Sequence, residues 1–122
     1  MKRDLNLVRM ILLDIESSPP GQPIFGFNYD GRTNAEVMEH VQLLLDANFI
    51  DGQMVLGNMG QPEGCVVMRM TWDGQEFLAK AKNETIWKKV LTQAEEKGMS
   101  ASLVVINGLL EAAAKKYVGL DN

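Results

Sequence analysis

Residues 34–78 read NAEVMEHVQLLLDANFIDGQMVLGNMGQPEGCVVMRMTWDGQEFL, and the changes of hydrophobic period inside this stretch decide the fold. From Asn34 to Ala47, Val37, Val41, Leu44 and Leu45 recur at helical spacing with Met38 beside them. Asn48 follows the last apolar turn, and asparagine tolerates the left-handed conformation that often ends a helix. Phe49-Ile50-Asp51-Gly52 then opens an extended segment. The loop Gly57 to Gly64 holds three glycines, a proline and no base, which predicts a mobile connection. Val66 to Met70 alternates as a strand. Thr71-Trp72-Asp73-Gly74 turns it into another helix, with Thr71 as cap and Phe77, Leu78 and Ala81 pointing inward.

Working outward, Leu5, Val8, Ile11, Leu12 and Ile15 form one face of a helix from Asp4 to Glu16, capped by Asp4. Pro19-Pro20 ends it, because proline neither donates a backbone hydrogen bond nor lets the residue before it stay helical. Ile24, Phe25 and Phe27 suggest a short strand closing at Asp30-Gly31. After a break at Asn83-Glu84, Thr85 to Lys97 carries Ile86, Trp87, Val90, Leu91 and Ala94, and Gly98 is placed to end that helix. Ser100 is placed to cap a last helix from Ala101 to Tyr117. Its face of Leu103, Ile106, Leu110 and Ala113 is widened by Val104, Val105 and Leu109.

This order predicts a single α+β domain. Residues 1–82 would form a winged-helix-like core containing a small antiparallel β-hairpin, and residues 83–122 two additional C-terminal helices. A helix as apolar as the last one is either deeply packed or covered by another chain, so a homodimer through it is one expectation.

A chain of 122 residues with 46% hydrophobic and 23% charged residues is long enough for a sizeable core. No apolar run approaches the ~20 residues that span a bilayer. Charged Lys2, Arg3 and Asp4, with no small-residue cleavage site after them, do not read as a signal peptide, so a cytoplasmic location is expected. Cys65 is the only cysteine, which excludes an internal disulfide and a cysteine-based zinc cluster. The net charge is −4, and all of it lies between Asp30 and Asp51, where Arg32 faces Asp30, Glu36, Glu39, Asp46 and Asp51.

That placement bears on function. A recognition helix needs bases for phosphates and side chains that pair with base edges. The second helix instead offers Glu36, Glu39, His40, Gln42 and Asp46. Residues 19–31 also leave little room for a helix ahead of it. The favoured expectation is therefore a protein partner meeting Glu36, Glu39 and His40. The alternative is a DNA-binding regulator that uses Arg3, Arg9, Arg32, Lys80, Lys82, Lys88 and Lys89. Glu76, Glu84, Glu95 and Glu96 lie among those lysines, which favours an ordinary solvated surface there.

His40 and Cys65 lack the third group and the spacing of a nucleophilic pair. One histidine and scattered carboxylates lack metal-ligand spacing. No catalytic residue, cofactor or metal is expected. Trp72 and Trp87 each lie early in a helix, where an indole can cover a joint between elements.

Four motifs in order resemble one family. They are Met1-Lys2-Arg3-Asp4-Leu5 with Arg9 and Ile11-Leu12-Leu13; Glu36-Val37, His40, Leu43-Leu44, Ala47 and Ile50; Arg69 through Leu78; and Thr85-Ile86-Trp87-Lys88-Lys89. Together they are similar to the family known as domain of unknown function 2513, over nearly the whole chain. The resemblance implies a small bacterial protein, often carried by phages and prophages, and implies no catalytic residues. Asn48 stands where that family commonly has glycine.

Overall fold

The computed structural model describes residues 3–96 and 102–117. The expected helix end at Gly98 and cap at Ser100 lie outside them, as do Met1 and Lys2. Five helices and one antiparallel hairpin make up the described residues: α1 (Leu5–Ser17), α2 (Asn34–Asp46), β1 (Ile50–Leu56), β2 (Pro62–Met70), α3 (Trp72–Ala81), α4 (Glu84–Glu96) and α5 (Leu103–Tyr117). The fold class is α+β, and the order from α2 through α3 is the one expected. The chain divides into two compact units, Met1–Gln75 and Glu76–Asn122, with the division inside α3.

In the first unit, α1 turns Leu5, Leu7, Val8, Ile11, Leu12 and Ile15 inward. From α2 come Val37, Met38, Val41 and Leu44, and the hairpin adds Ile50, Cys65, Val67 and Met70. Leu45, expected in the stripe, is only half-buried. Asp4 caps α1 by accepting from the Leu7 amide at 3.2 Å. Thr33 and Glu36 cap α2 reciprocally: the Thr33 hydroxyl accepts from the Glu36 amide at 3.1 Å, and the Glu36 carboxylate accepts from the Thr33 amide at 3.3 Å. Asn48 ends the helix with φ 60°, the conformation expected of it.

Residues 18–33 contain no helix and no regular strand. The expected strand at Ile24–Phe27 reduces to one bridge, in which Ile24 and Val67 exchange amide–carbonyl bonds of 2.9 and 2.8 Å. Pro23, immediately before the bridge, has no amide with which to extend it on that side. Tyr29 donates its hydroxyl to Asp14 and fastens this segment to α1. The hairpin loop is shorter than expected, because Pro62, Glu63 and Gly64 already belong to β2. The Gly57 amide donates to the Gln61 carbonyl at 2.7 Å and closes the turn, with Gly60 at φ 79°.

The Thr71–Gly74 motif joins hairpin to helix. The Thr71 hydroxyl donates to the Asn48 carbonyl at 2.6 Å and accepts from the Gly74 amide at 3.1 Å. A Cβ on Gly74 would overlap the Phe49 carbonyl and lie 2.7 Å from the Met70 side chain, so this approach requires glycine.

In the second unit, Phe77, Leu78, Ala81, Trp87, Val90, Ala94, Ile106 and Leu110 are buried. Phe77 and Trp87 meet edge to face with centroids 6.2 Å apart. Asn83 caps α4 through the Ile86 amide at 3.0 Å. Ser102 caps α5 through the Val104 amide at 3.2 Å. The wide apolar face of α5 is divided: Ile106 and Leu110 are fully buried, whereas Val104 is 83% exposed.

Candidate functional site

The acidic face of α2 is only partly available to a partner. Glu36 is exposed, but its carboxylate is engaged in the cap, and Glu39 is half-buried. His40 is 1% exposed, so it cannot meet a partner as expected. Its Nδ1–H donates to the Glu36 carbonyl at 2.7 Å, and its Nε2 accepts from the Asp4 amide at 2.8 Å. Both nitrogens thus serve backbone groups, and the ring ties the start of α1 to α2. Nothing local in the sequence marks this, because the bonded residue lies 36 positions away.

Asp4 also pairs with Arg32, whose guanidinium donates to its Oδ2. The base at the entrance of α2 is thereby turned onto α1. Arg69 pairs with Asp51 across the hairpin at 2.8 Å. Arg3 is exposed and Arg9 half-buried. Among the lysines of the second unit, Lys80 pairs with Glu111 at 3.3 Å with its side chain mostly covered, and Lys88 pairs with Glu84 at 3.3 Å one helical turn away. Lys82 is exposed between α3 and α4, and Lys89 is exposed on α4. The bases proposed for nucleic acid are therefore divided between the two units, and Arg32, Lys80 and Lys88 at least are held by carboxylates.

Among the described residues no hydrogen bond joins Cys65 to His40. With both ring nitrogens on backbone groups, His40 has none left to accept a thiol proton. Burial raises the Cys65 thiol above its ordinary range, the opposite of what a nucleophile needs. Burial, together with the hydrogen bond to Asp14 and that carboxylate's charge, also raises Tyr29.

Trp87 is buried as expected. Trp72 is not: at 73% exposure it covers no joint, although the threonine before it and the glycine two residues after it are both fixed by backbone contacts. Its position at the first residue of α3 turns the indole outward.

The free edge of β1 was not anticipated. Among the described residues β2 is flanked by β1 and by Ile24, whereas nothing pairs with the other side of β1. A groove of about 520 Å³ runs along that side, between residues 50–54 of β1 and Gln42, Leu45 and Asn48 at the end of α2. Phe49-Ile50-Asp51-Gly52 announces an extended segment, but not which of its edges is left open.

These features describe a small α+β protein with an acidic, partly open hairpin face. The chain belongs to the family described as Hypothetical protein (DUF2513), whose model matches residues 2–100. It is similar to a protein of Haemophilus influenzae described as an uncharacterized protein, 31% identical over 108 residues that cover 87% of this chain and 89% of that relative. No solved structure matches it. Among the described residues no helix is long and apolar enough to cross a membrane.

Proposed function

We propose that this chain is a non-enzymatic, winged-helix-like module that acts through protein contacts in a phage or prophage setting. The observation that carries this reading is the state of charge around α2. The excess of carboxylates lies on this segment, and Arg32, its one base, is drawn into a pair with Asp4. A surface of this sign repels a phosphate lattice and attracts a cationic protein face. The occupied nitrogens of His40 and the raised Cys65 thiol support a non-catalytic role.

The test is affinity capture with the whole chain and with Glu36→Gln/Glu39→Lys. Glutamine at position 36 retains an acceptor for the cap, so the change acts on charge rather than on folding. The reading predicts a partner that the wild type retains and the variant loses. In parallel, fluorescence anisotropy with mixed genomic fragments at ~50 mM salt should show no binding. Salt-sensitive DNA binding, lost when Lys82 and Lys89 are replaced by alanine, would instead establish the regulator.

A further inference from the structure

We infer that the free edge of β1 is a docking strand for an extended, cationic segment of a partner protein; this rests on the proposed role in protein contacts and names its surface. The ladder geometry comes first. In an antiparallel pair, residues alternate between those that bond their direct neighbour and those whose amide and carbonyl point to the opposite edge. Val67 directs both its amide and its carbonyl to Ile24, so Gly52, its partner on β1, is not bonded to it. Two residues on, Met54 faces Cys65 in the same kind of pair. The backbone groups of Met54 therefore point out of the sheet; Gly52 sits at a register shift, and a second shift follows Val55, so the regular free edge is the short stretch from Gly52 to Val55, centred on Met54.

The groove supplies room and sign. The groove is open to solvent along its length, and its volume of about 520 Å³ leaves room for an extended segment. One wall is the last turn of α2, which carries no base, so the negative end of the helix dipole is uncompensated there. Gln42 in that wall holds Asp46 at 3.0 Å, and Glu39 lies one turn back on the same helical row. Leu45 and Leu56 add apolar surface at either side. A strand alternating apolar and basic side chains would place its apolar residues over the leucines and its cations toward Asp46 and the helix end. A second copy of β1 fits less well, since it would bring the base-free last turn of α2, with Asp46, toward another of the same sign.

The test uses an end-blocked octapeptide of alternating valine and lysine, titrated into the isotopically labelled whole chain. Saturable binding should slow hydrogen exchange at the Met54 amide. Methylating alternate peptide nitrogens, or replacing each lysine by glutamate, should weaken binding by about tenfold or more. Met54→Pro, which removes an outward amide but none of the bonds to β2, should weaken it similarly.

Three results would overturn the inference: no binding at millimolar peptide, equal affinity for the methylated peptide, or protection of the β1 amides that rises with protein concentration alone. The methylated peptide keeps the test valid if Met54→Pro does not fold. A captured partner retained by a folded Met54→Pro would refute the edge while leaving the protein-contact role standing.

Discussion

Thr71→Val keeps the volume of the residue that joins the hairpin to α3 and removes only its hydroxyl. In the native protein that oxygen donates to the Asn48 carbonyl at 2.6 Å and accepts from the Gly74 amide at 3.1 Å, and the residue is buried. Valine leaves both backbone groups without a partner. Each such group costs about 1–3 kcal/mol when water cannot reach it; the Asn48 carbonyl is only part-buried, so the expected loss lies in the lower part of the summed range, about 2–4 kcal/mol. Thr71→Ser is the control, because it keeps the hydroxyl and removes one methyl group, for about 1 kcal/mol. With a urea dependence of about 1–3 kcal/mol per molar, valine should lower the unfolding midpoint by roughly 1–2 M and serine by much less. Backbone amide signals of the hairpin, followed through the denaturation, report on the unit that holds Thr71. A valine variant within about 0.5 kcal/mol of wild type, or a serine variant as unstable as valine, would refute the assignment of the motif to this joint.

The two tryptophans should separate cleanly: Trp87→Ala should cost about 3–5 kcal/mol in thermal or urea unfolding, whereas Trp72→Ala should stay within about 0.5 kcal/mol. Gly52→Ala should destabilise the hairpin by about 2 kcal/mol or more, because its Cβ would overlap the Val66 carbonyl and lie 2.9 Å from the Val67 Cα. Gly60→Ala, at φ 79° but in open space, should cost only about 1 kcal/mol, as hairpin amide exchange would show. Burial raises Cys65 above its ordinary 9.0, so the unfolded chain releases that proton first. Stability should therefore be fully present below that pH and decline above it, and in melts between pH 7 and pH 10 Cys65→Ala should decline less. In the folded protein the same thiol should react slowly with a disulfide reagent until urea is added.

The parts of this fold that were legible in the sequence are those governed by neighbours in the chain. Asp4 caps α1 and Asn48 turns left-handed after α2 because each acts on residues within one turn of itself. Thr33 and Glu36 form a capping box that spacing alone could have revealed, though apolar periodicity passes over it. Glycine and proline made residues 62–64 look like loop, yet pairing with Val55 and Leu56 draws Gly64 and Pro62 into the strand. The same pairing was withheld from Phe25 and Phe27, which alternate like strand residues but have no ladder to join. His40 is expected with Glu36 and Glu39 on a contact face, although its place beside Val41 on the helix equally suits a half-buried, hydrogen-bonded imidazole. Its burial depends on a backbone amide contributed by another helix, which no local pattern encodes. The open edge of β1 is likewise a property of strand order, set by Ile24 choosing the far side of β2.

Asp4 has a consequence of another kind. One residue supplies the amide held by His40, the oxygen that receives the Leu7 amide, and the oxygen paired with Arg32. Such an arrangement behaves as a keystone rather than as three independent braces. Shortening the chain to begin at Leu5 would remove the cap of the first helix, the amide held by the histidine and the partner of the arginine in one step. It would also return to the acidic face the positive charge that Asp4 now withholds, so one carboxylate at the foot of α1 sets the electrostatic character of a surface formed thirty residues later.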